Sequence, residues 1–188
     1  MSMKTQKIFV VRHGQDQDNA VGILNGRRDT DLTNAGRKQA RETAAKLKSY
    51  AIDIIYTSPL KRAYETARII ADKIGTDEII VAAPLREREY GILTGTRIDE
   101  IAKNAKKIFQ SHGATYFIET DGAESYPKLM ERARKILKEI SKRHPEKNIL
   151  IVSHSGIARM IRAIYHRRTW EEELKEPPIS NAGVLELF

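Results

Sequence analysis

Four side chains that can bind or transfer an anion each follow a separate apolar stretch of the sequence. They are His13, Arg62, Glu87 and His154. Arg12 directly precedes the first of them, and a guanidinium beside an imidazole suits an anion, because the guanidinium grips two oxygens while the imidazole attacks or donates. A carboxylic acid can protonate a leaving group. Together these residue types point to transfer of a phosphoryl group through a histidine.

Each of these four residues also has a purely structural interpretation. Arg62 lies beside Lys61 and fits an ordinary helix surface, and Glu87 belongs to an Arg-Glu-Arg-Glu run that is typical of a solvated charge cluster. His154 fits a helix cap and His13 a core histidine. Ligands of parallel α/β sheets bind just beyond the carboxyl ends of the strands. Four such residues at strand ends therefore favour one shared site over four separate structural roles.

In phosphoryl transfer the protein mainly positions the group and stabilises the negative charge on its oxygens. Arg12, Arg62 and one histidine can surround these oxygens, while the other histidine, neutral near pH 7, attacks phosphorus. Glu87 is the acid for the leaving alkoxide. The arginines supply the positive charge, so no metal is required. The missing Walker motif argues against a nucleotide-driven kinase.

Strands and helices alternate along the sequence, which predicts an α/β fold. The predicted strands are Ile8–Val11, Ile52–Tyr56, Ile79–Ala82, Asn148–Val152 and Val184–Phe188. The predicted helices begin near Thr33, Ser58, Glu124 and Gly156. This order indicates a three-layer α/β/α architecture with a mostly parallel sheet. Gly14, directly after the first strand and its Arg-His pair, is expected where backbone approaches the ligand closely.

Local signals place the helix starts and an insertion. Thr33 is the expected N-cap of the first long helix, and Ser58 with Pro59 predicts the start of the next. Thr96 with Asp99 resembles a capping box. The spacing of four apolar residues predicts a short amphipathic helix: Ile98, Ile101, Ala105 and Ile108. We interpret residues 96–122 as a short helical insertion that covers the active site within a single domain spanning 1–188.

Composition limits the classes of function. The chain has 188 residues, a net charge of +8 and no cysteine, so neither a disulfide framework nor a thiolate metal site is expected. The basic residues are dispersed and no nucleic-acid motif is present, which favours a solvated basic surface over a nucleic-acid partner. No apolar run approaches the roughly 20 residues of a membrane span, and no signal peptide is recognised. A cytoplasmic enzyme is the expectation.

Beyond these residue types, the motifs resemble those of a known family. Val11-Arg12-His13-Gly14 is similar to the Arg-His-Gly signature of the histidine phosphatase superfamily, which includes phosphoglycerate mutase-like proteins. The similarity continues through several further segments: Asn19, Leu24-Asn25-Gly26, Leu32 to Gly36, Tyr56 to Ala63, Leu85 to Gly95, Gly122 to Ser125, Val152 to Gly156, and Ser180 to Ala182. It spans essentially the whole chain and implies the phosphoglycerate mutase-like fold.

The resemblance also implies roles for individual residues. His13 would become phosphohistidine; Arg12, Arg62 and His154 would hold the phosphoryl group; and Glu87 would be proton donor and later base. It implies secondary substrate contacts from Asn19, Asn25, Gly26, Ser155 and Gly156. The implied partner is a small phosphorylated metabolite, and a homodimer is compatible with the family. No cofactor is expected, except 2,3-bisphosphoglycerate if the protein is a mutase.

One residue departs from the family pattern. Many members have a hydroxyl residue three positions after the nucleophile, where this chain has Asp16. A carboxylate near phosphate would repel it. We therefore expect Asp16 to point away from the site or to pair with a nearby arginine such as Arg27 or Arg28.

Two enzyme activities and one binding role remain open at this point. A phosphatase hydrolysing small phosphate monoesters is favoured, because the insertion is short, lacks paired arginines and the chain stops at Phe188, directly after the last predicted strand. A mutase using the same phosphohistidine is the alternative; Lys103, Lys106 and Lys107 could partly replace the arginines. The third role, a non-catalytic phosphate-binding module, is disfavoured because neither nucleophile nor acid is missing.

Overall fold

The fold is built around one five-stranded sheet. The computed structural model describes residues 6–187. The strands are β1 (Ile8–Arg12), β2 (Ile54–Thr57), β3 (Ile79–Val81), β6 (Ile149–Ser153) and β7 (Val184–Leu187). Their order in the sheet is β3-β2-β6-β1-β7, with β7 antiparallel to β1 and the other pairs parallel. Each predicted strand is present; Phe188, the predicted last strand residue, lies outside the described residues.

Helices cover both faces of this sheet, as predicted. They are α1 (Gln17–Ala20), α2 (Asn34–Leu47), α3 (Lys61–Ile74), α4 (Ile101–Asn104), α5 (Tyr126–Arg143), α6 (Ser155–Tyr165) and α7 (Trp170–Leu174). Val10 of β1 packs in one core cluster with α5 and α6, whereas its neighbours Phe9 and Val11 pack in another with α2 and α3. Successive side chains of a strand point to opposite faces of the sheet. Because both faces of β1 are buried, its consecutive residues Ile8 to Val11 are all apolar.

The insertion differs from the predicted helix. Only Ile98–Glu100, a 3₁₀ turn, and the short α4 are helical, and a hairpin follows, formed by β4 (Lys107–Ser111) and β5 (Ala114–Glu119). The predicted extension of the helix to Ile108 is wrong. His112 and Gly113 both have positive φ (49° and 71°), as a two-residue hairpin turn requires. The turn and the aromatic residues of the segment therefore favour strands.

Two predicted helix starts are also wrong. Helix α3 begins at Lys61, not at Pro59, and the Ser58 hydroxyl instead accepts from the Leu60 amide at 3.3 Å. The Thr96 hydroxyl donates to the Leu93 carbonyl at 2.8 Å, so it forms no capping box. By contrast, the Thr33 side chain accepts from the Gly36 amide at 3.0 Å, which confirms the predicted N-cap of α2.

Two cap positions complete this comparison. Helix α5 begins at Tyr126, two residues after the predicted Glu124, because the Ser125 side chain caps it by accepting from the Lys128 amide. His154 stands at the N-cap of α6 but makes no side-chain cap hydrogen bond. None of the helices within residues 6–187 is long and apolar enough to cross a membrane.

Candidate active site

The two histidines meet because their strands are neighbours. Strands β1 and β6 pair in parallel with Arg12 opposite Ser153, so the residues that follow them lie side by side. The His13 amide donates to the Ser153 carbonyl at 2.9 Å. The ring centroids of His13 and His154 are 5.1 Å apart. The predicted meeting of these residues at the carboxyl edge of the sheet is what the strand pairing produces.

His13 is held as a neutral imidazole whose Nε2 carries no proton. Its side chain is buried, and Nδ1 lies 2.7 Å from the Gly14 carbonyl oxygen. Since a carbonyl can only accept, Nδ1 carries the proton and Nε2 keeps its lone pair. Burial, followed by the charges of Arg62 and Arg12, lowers the pKa of His13 well below its usual value. The imidazole is therefore neutral at pH 7, with its one proton on Nδ1.

Arg62 is fully buried against this imidazole. Its Nε lies 3.2 Å from His13 Nε2, its Nη2 donates to the Gly26 carbonyl at 2.7 Å, and its Nη1 donates to the Arg28 carbonyl. Desolvation lowers the pKa of Arg62, but an arginine remains charged at any physiological pH. The loop of residues 26–28 therefore fixes a cation at the nucleophile.

Asp16 also reaches Arg62, which corrects the expected pairing. Its Oδ2 is 3.1 Å from Arg62 Nε, and both side chains are buried. Arg28 pairs instead with Asp18 at 2.9 Å, and Arg27 contacts Glu89 and Glu124. The expectation that Asp16 pairs with Arg27 or Arg28 is wrong, because both side chains are engaged by other carboxylates.

Arg12 and His154 each present a buried polar atom without a partner among residues 6–187. Arg12 Nη1 donates to the Ile179 carbonyl at 2.8 Å, which leaves its buried Nε unpaired. His154 Nε2 is 2.8 Å from the Ser58 hydroxyl, and its Nδ1 is unpaired. Burial lowers the pKa of His154 well below its usual value, with the charge of Arg62 adding to the effect. A buried polar atom without a hydrogen-bond partner is unfavourable. A bound anion would supply a partner to both atoms.

Glu87 sits at the start of helix α6. Its carboxylate accepts from the Gly156 amide at 3.1 Å and from the Arg88 amide at 2.8 Å. A Cβ on Gly156 would lie 2.4 Å from Glu87 Oε1, so a side chain there would displace the Glu87 carboxylate. At Gly14 the structure gives a further reason for glycine: an added Cβ would lie 2.4 Å from the Gly36 carbonyl oxygen of α2.

The remaining predicted residues lie around the same site. Asn19 accepts from Asn181 at 2.9 Å, and Asn25 donates to Asp16. A cavity of about 170 Å³ is lined by seven of the predicted residues: Arg12, His13, Asn19, Asn25, Glu87, Ser155 and Gly156. Arg62, His154 and Gly26 do not line it. Arg62 and His154 contact His13, and the Gly26 carbonyl contacts Arg62.

The sequence interpretation missed two arginines that also line this cavity. Arg88 is buried between the rings of Phe117 and Tyr126, 4.2 and 4.0 Å from their centroids, and donates to the carbonyls of Phe117 and Glu124. Arg159 donates to the Tyr116 hydroxyl at 2.7 Å and to two carbonyls near α7. Arg159 could have been found from the sequence, because it lies among the apolar residues of α6, where a charged side chain indicates a buried role.

The hairpin provides one wall of the cavity, as predicted for the insertion. Thr115, Tyr116 and Phe117 of β5 line it together with Ile98 and Tyr90. The Tyr90 and Phe117 rings meet edge to face with centroids 5.0 Å apart. Burial raises the pKa of Tyr90 well above its usual value, so its phenol stays neutral. Among residues 6–187, no three His, Asp or Glu side chains lie together as a metal-binding cluster.

The fold and the site together define a class of protein. It is an α/β/α protein with a buried, neutral imidazole beside arginines at the carboxyl edge of its sheet. Comparison with known proteins narrows this class. Residues 8–187 match the model of the histidine phosphatase superfamily (branch 1), so the chain belongs to that superfamily.

Individual relatives agree with this assignment. Phosphoglycerate mutase-like protein 4 of Arabidopsis thaliana is 39% identical over 165 residues, covering 86% of this chain and 70% of the relative. The metal-independent phosphoserine phosphatase of the same plant is 35% identical over 169 residues, covering 87% and 68%. These matches confirm the predicted family and the prediction of a phosphomonoesterase. The roles of single site residues remain predictions.

Solved structures are similar over nearly the whole chain. A mycobacterial glucosyl-3-phosphoglycerate phosphatase in complex with VO3 has a TM-score of 0.83 at 25% identity, covering 96% of this chain and 92% of that one. A phosphoserine phosphatase from Entamoeba histolytica in complex with 3-phosphoglyceric acid has a TM-score of 0.77 at 25% identity, covering 96% and 89%. The predicted α/β fold with its mostly parallel sheet is confirmed.

Proposed function

We propose that this protein hydrolyses phosphate monoesters of small hydroxy acids, with phosphoserine as the model substrate, through a phosphohistidine at His13. The observation that carries this proposal is the fixed tautomer of His13. Its Nδ1–H is bonded to the Gly14 carbonyl, so the lone pair is on Nε2, where Arg62 Nε donates to it at 3.2 Å, and Glu87 lines the same cavity. A nucleophile and an acid therefore share one site.

In the first half of the reaction, His13 Nε2 attacks phosphorus and the bond from phosphorus to the ester oxygen breaks. The protonated carboxyl of Glu87 gives its proton to the departing alkoxide, which leaves as the alcohol. The unpaired Nε of Arg12 and Nδ1 of His154 supply polar contacts to the phosphoryl oxygens. Because these groups are already fixed and buried, they stabilise the charge without reorganising.

In the second half, water attacks the phosphohistidine. The Glu87 carboxylate accepts a proton from this water while its oxygen bonds to phosphorus and the N–P bond breaks. Inorganic phosphate leaves and neutral His13 is restored. The arginines provide the positive charge, so the proposed reaction uses neither a metal ion nor an organic cofactor, in keeping with the name of the metal-independent phosphoserine phosphatase relative.

The substrate class is proposed from the cavity and from the relatives. Three arginines but only one carboxylate, Glu87, line the cavity, which favours a substrate with negative charge beyond its phosphate. The names of two similar proteins include phosphoserine phosphatase, and one was solved with 3-phosphoglyceric acid. We propose that the carboxylate of the substrate lies toward the hairpin and accepts from the Tyr116 hydroxyl, which itself accepts from Arg159.

A phosphoglycerate mutase is the second candidate function. The 2,3-bisphosphoglycerate-dependent phosphoglycerate mutase of Parvibaculum lavamentivorans is 34% identical over 164 residues, covering 82% of this chain and 77% of the relative. A mutase must keep a bisphosphorylated intermediate bound until it reorients, which requires free cations at its far end. Arg88 and Arg159 already donate to carbonyls, Lys106 pairs with Asp121, and neither Lys103 nor Lys107 lines the cavity. Hydrolysis is therefore favoured.

A product assay separates the two functions. Purified protein is given 3-phosphoglycerate with 2,3-bisphosphoglycerate, and separately phosphoserine, phosphoethanolamine and p-nitrophenyl phosphate. We expect phosphate release to exceed 2-phosphoglycerate formation, and phosphoserine to be preferred over phosphoethanolamine, which lacks the carboxylate. Faster isomerisation than hydrolysis would make the protein a mutase. Equal rates for phosphoserine and phosphoethanolamine would contradict the proposed role of the substrate carboxylate.

We further propose that the enzyme acts as one domain in the cytoplasm on free metabolites, with no nucleic-acid or membrane partner. A homodimer is compatible with this proposal. Light scattering of the purified protein measures the oligomeric state, and fractionation of cells tests the compartment.

A further inference from the structure

Asp16 places a buried carboxylate beside the phosphoryl-transfer site. It accepts from the Asn19 amide at 2.7 Å and from the Asn25 side chain, and its Oδ2 lies 3.1 Å from Arg62 Nε. These contacts come from α1, from the loop that follows it and from α3. A carboxylate with no solvent exposure needs such partners, because an unpaired buried charge is costly. Its position so close to a site for anions requires an explanation.

Arg62 Nε lies at almost equal distances from the Asp16 carboxylate and the His13 ring. Asp16 Oδ2 is at 3.1 Å and His13 Nε2 at 3.2 Å. The other two guanidinium nitrogens are already committed to the carbonyls of residues 26 and 28. The Nε–H itself is directed at His13 Nε2, and the contact with Asp16 is an ion pair between two fully buried side chains. Asp16 therefore acts on this guanidinium through its negative charge.

We propose that Asp16 is a positioning residue whose negative charge holds Arg62 beside His13 and offsets the positive charge that Arg62 presents to bound phosphate. The inference rests on the proposed function at His13. With Asp16 ionised, phosphate is bound less strongly and is released readily. Without that charge, Arg62 binds phosphate more strongly, so phosphate release and turnover slow while affinity rises.

The surroundings of Asp16 make this arrangement sensitive to pH. The charged and titratable groups that face it are Arg62 from α3, Asp18 from α1 and His13 after β1; Asn19 and Asn25 donate to it. Burial raises the pKa of Asp16 above its usual value, although the Asn19 amide and Arg62 oppose this. Asp16 therefore becomes protonated at a higher pH than an exposed aspartate, and acidification should mimic removal of its charge.

The test is the variant Asp16→Asn, with Asp18→Asn as the matched control. Asp18 is buried and carries the same charge on the same short helix, but it pairs with Arg28 instead of Arg62. Affinity for inorganic phosphate is measured by calorimetry, and kcat and KM are measured with p-nitrophenyl phosphate from pH 4.5 to 7.5. For Asp16→Asn we expect about tenfold tighter phosphate binding and about tenfold lower kcat near neutral pH. For Asp18→Asn we expect changes within about twofold.

The pH series adds a second comparison between the wild type and Asp16→Asn. On acidification, the phosphate affinity and the kcat of the wild type should converge on the values of Asp16→Asn at the same pH, so that the titration of phosphate itself cancels. Unchanged or weaker phosphate binding in Asp16→Asn would overturn the inference and make Asp16 a purely structural residue. If Asp16→Asn does not fold, the uncharged variant Asp16→Ser, whose hydroxyl can also cap α1, takes its place, and unchanged or weaker phosphate binding in Asp16→Ser would overturn the inference.

Failure of the proposed function would look different. Phosphate labelling followed by peptide mapping shows whether His13 becomes phosphorylated in the wild type. A label on another residue would remove the function proposed for His13 whatever the phosphate affinities are. A label on His13 with no effect of Asp16 on phosphate binding would remove only the inference about Asp16.

Discussion

The sheet edge and the hairpin wall of the cavity are held in place in different ways. The sheet edge comprises Arg12, His13 and His154, and the hairpin wall comprises Thr115, Tyr116 and Phe117 of β5. Residues of the sheet edge directly continue or follow β1 and β6, whose pairing fixes their backbone. Within residues 6–187 the hairpin makes its ladder only with itself, and every residue of β4 is exposed or half-buried. The sheet edge is therefore positioned by the core of the fold.

The hairpin wall instead depends on two arginines. Arg88 donates to carbonyls of β5 from between two aromatic rings, and Arg159 of α6 reaches the Tyr116 hydroxyl. Both side chains are buried. We infer that the sheet edge determines the reaction and that the hairpin wall selects the substrate. Variants of the sheet edge should slow every substrate, whereas variants of the wall should slow only substrates that reach it.

The largest effect is expected at the sheet edge for His13→Ala. Removal of the proposed nucleophile should lower turnover by roughly 10⁴-fold or more for every phosphate ester, because the covalent intermediate is proposed to form on its Nε2. Mass spectrometry of acid-sensitive phosphopeptides after rapid quenching measures the intermediate. His166→Ala, a change at an exposed histidine, is the control and should retain both activity and the label. A label that persists in His13→Ala would contradict the assignment.

Glu87→Gln should have the next largest effect. Loss of the acid should slow hydrolysis of an alkyl phosphate by roughly 10²–10⁴-fold. The first step with p-nitrophenyl phosphate should lose less, because nitrophenolate leaves without a proton. Single-turnover rates of phosphoenzyme formation measure this difference. Glu89→Gln, the same change two residues further on, should leave both rates near wild type. Equal losses with both esters would argue against proton donation by Glu87.

The sequence predicts the sheet edge well and the hairpin wall poorly. Four consecutive apolar residues, Ile8 to Val11, indicate a strand buried on both faces. The residues that follow such a strand lie at the carboxyl edge of the sheet. The insertion carries weaker signals. Apolar spacing from Ile98 to Ala105 matches a helix and is realised only as far as Asn104. The turn at His112-Gly113 was the cue for a hairpin.

Buried charges are the other part that the sequence does not reveal. Arg88 stands in a run of alternating charges that resembles a solvated loop, yet its partners are carbonyls and rings some 30 residues away. The pair of Asp16 and Arg62 joins a loop after β1 to α3. Such pairings depend on how separate elements pack, and spacing along the chain carries no information about them.

The burial of the sheet edge should also appear in the pH dependence of stability. The pKa values of His13 and His154 are lowered in the folded protein, so below about pH 6.5 the unfolded chain binds two protons that the folded chain does not. The free energy of unfolding should therefore fall on acidification, by up to about 2.7 kcal/mol per pH unit from these two residues. Urea titrations between pH 7.5 and 5 measure the slope of the free energy of unfolding against pH.

A variant assigns this slope to the sheet edge. His154→Asn removes one of the two groups, and the slope should fall by up to about 1.4 kcal/mol per pH unit even if the variant is less stable overall. His166→Asn, at the exposed C-terminal end of α6, is the matched control and should leave the slope near that of the wild type. An unchanged slope in His154→Asn would mean that this ring is protonated in the folded protein.

The smallest effect is expected at the hairpin wall, for Tyr116→Phe. The change removes one hydroxyl that accepts from Arg159 and lines the cavity, and it leaves the ring in place. Loss of one hydrogen bond to the substrate should lower kcat/KM for phosphoserine by about tenfold. The value for p-nitrophenyl phosphate, which carries no carboxylate, should stay within about twofold, because the sheet edge is untouched. Tyr165→Phe, the same change at an exposed position, controls for the substitution itself. Equal losses for both substrates would mean that the hydroxyl only supports the hairpin, and the division between a reaction-determining edge and a substrate-selecting wall would fail.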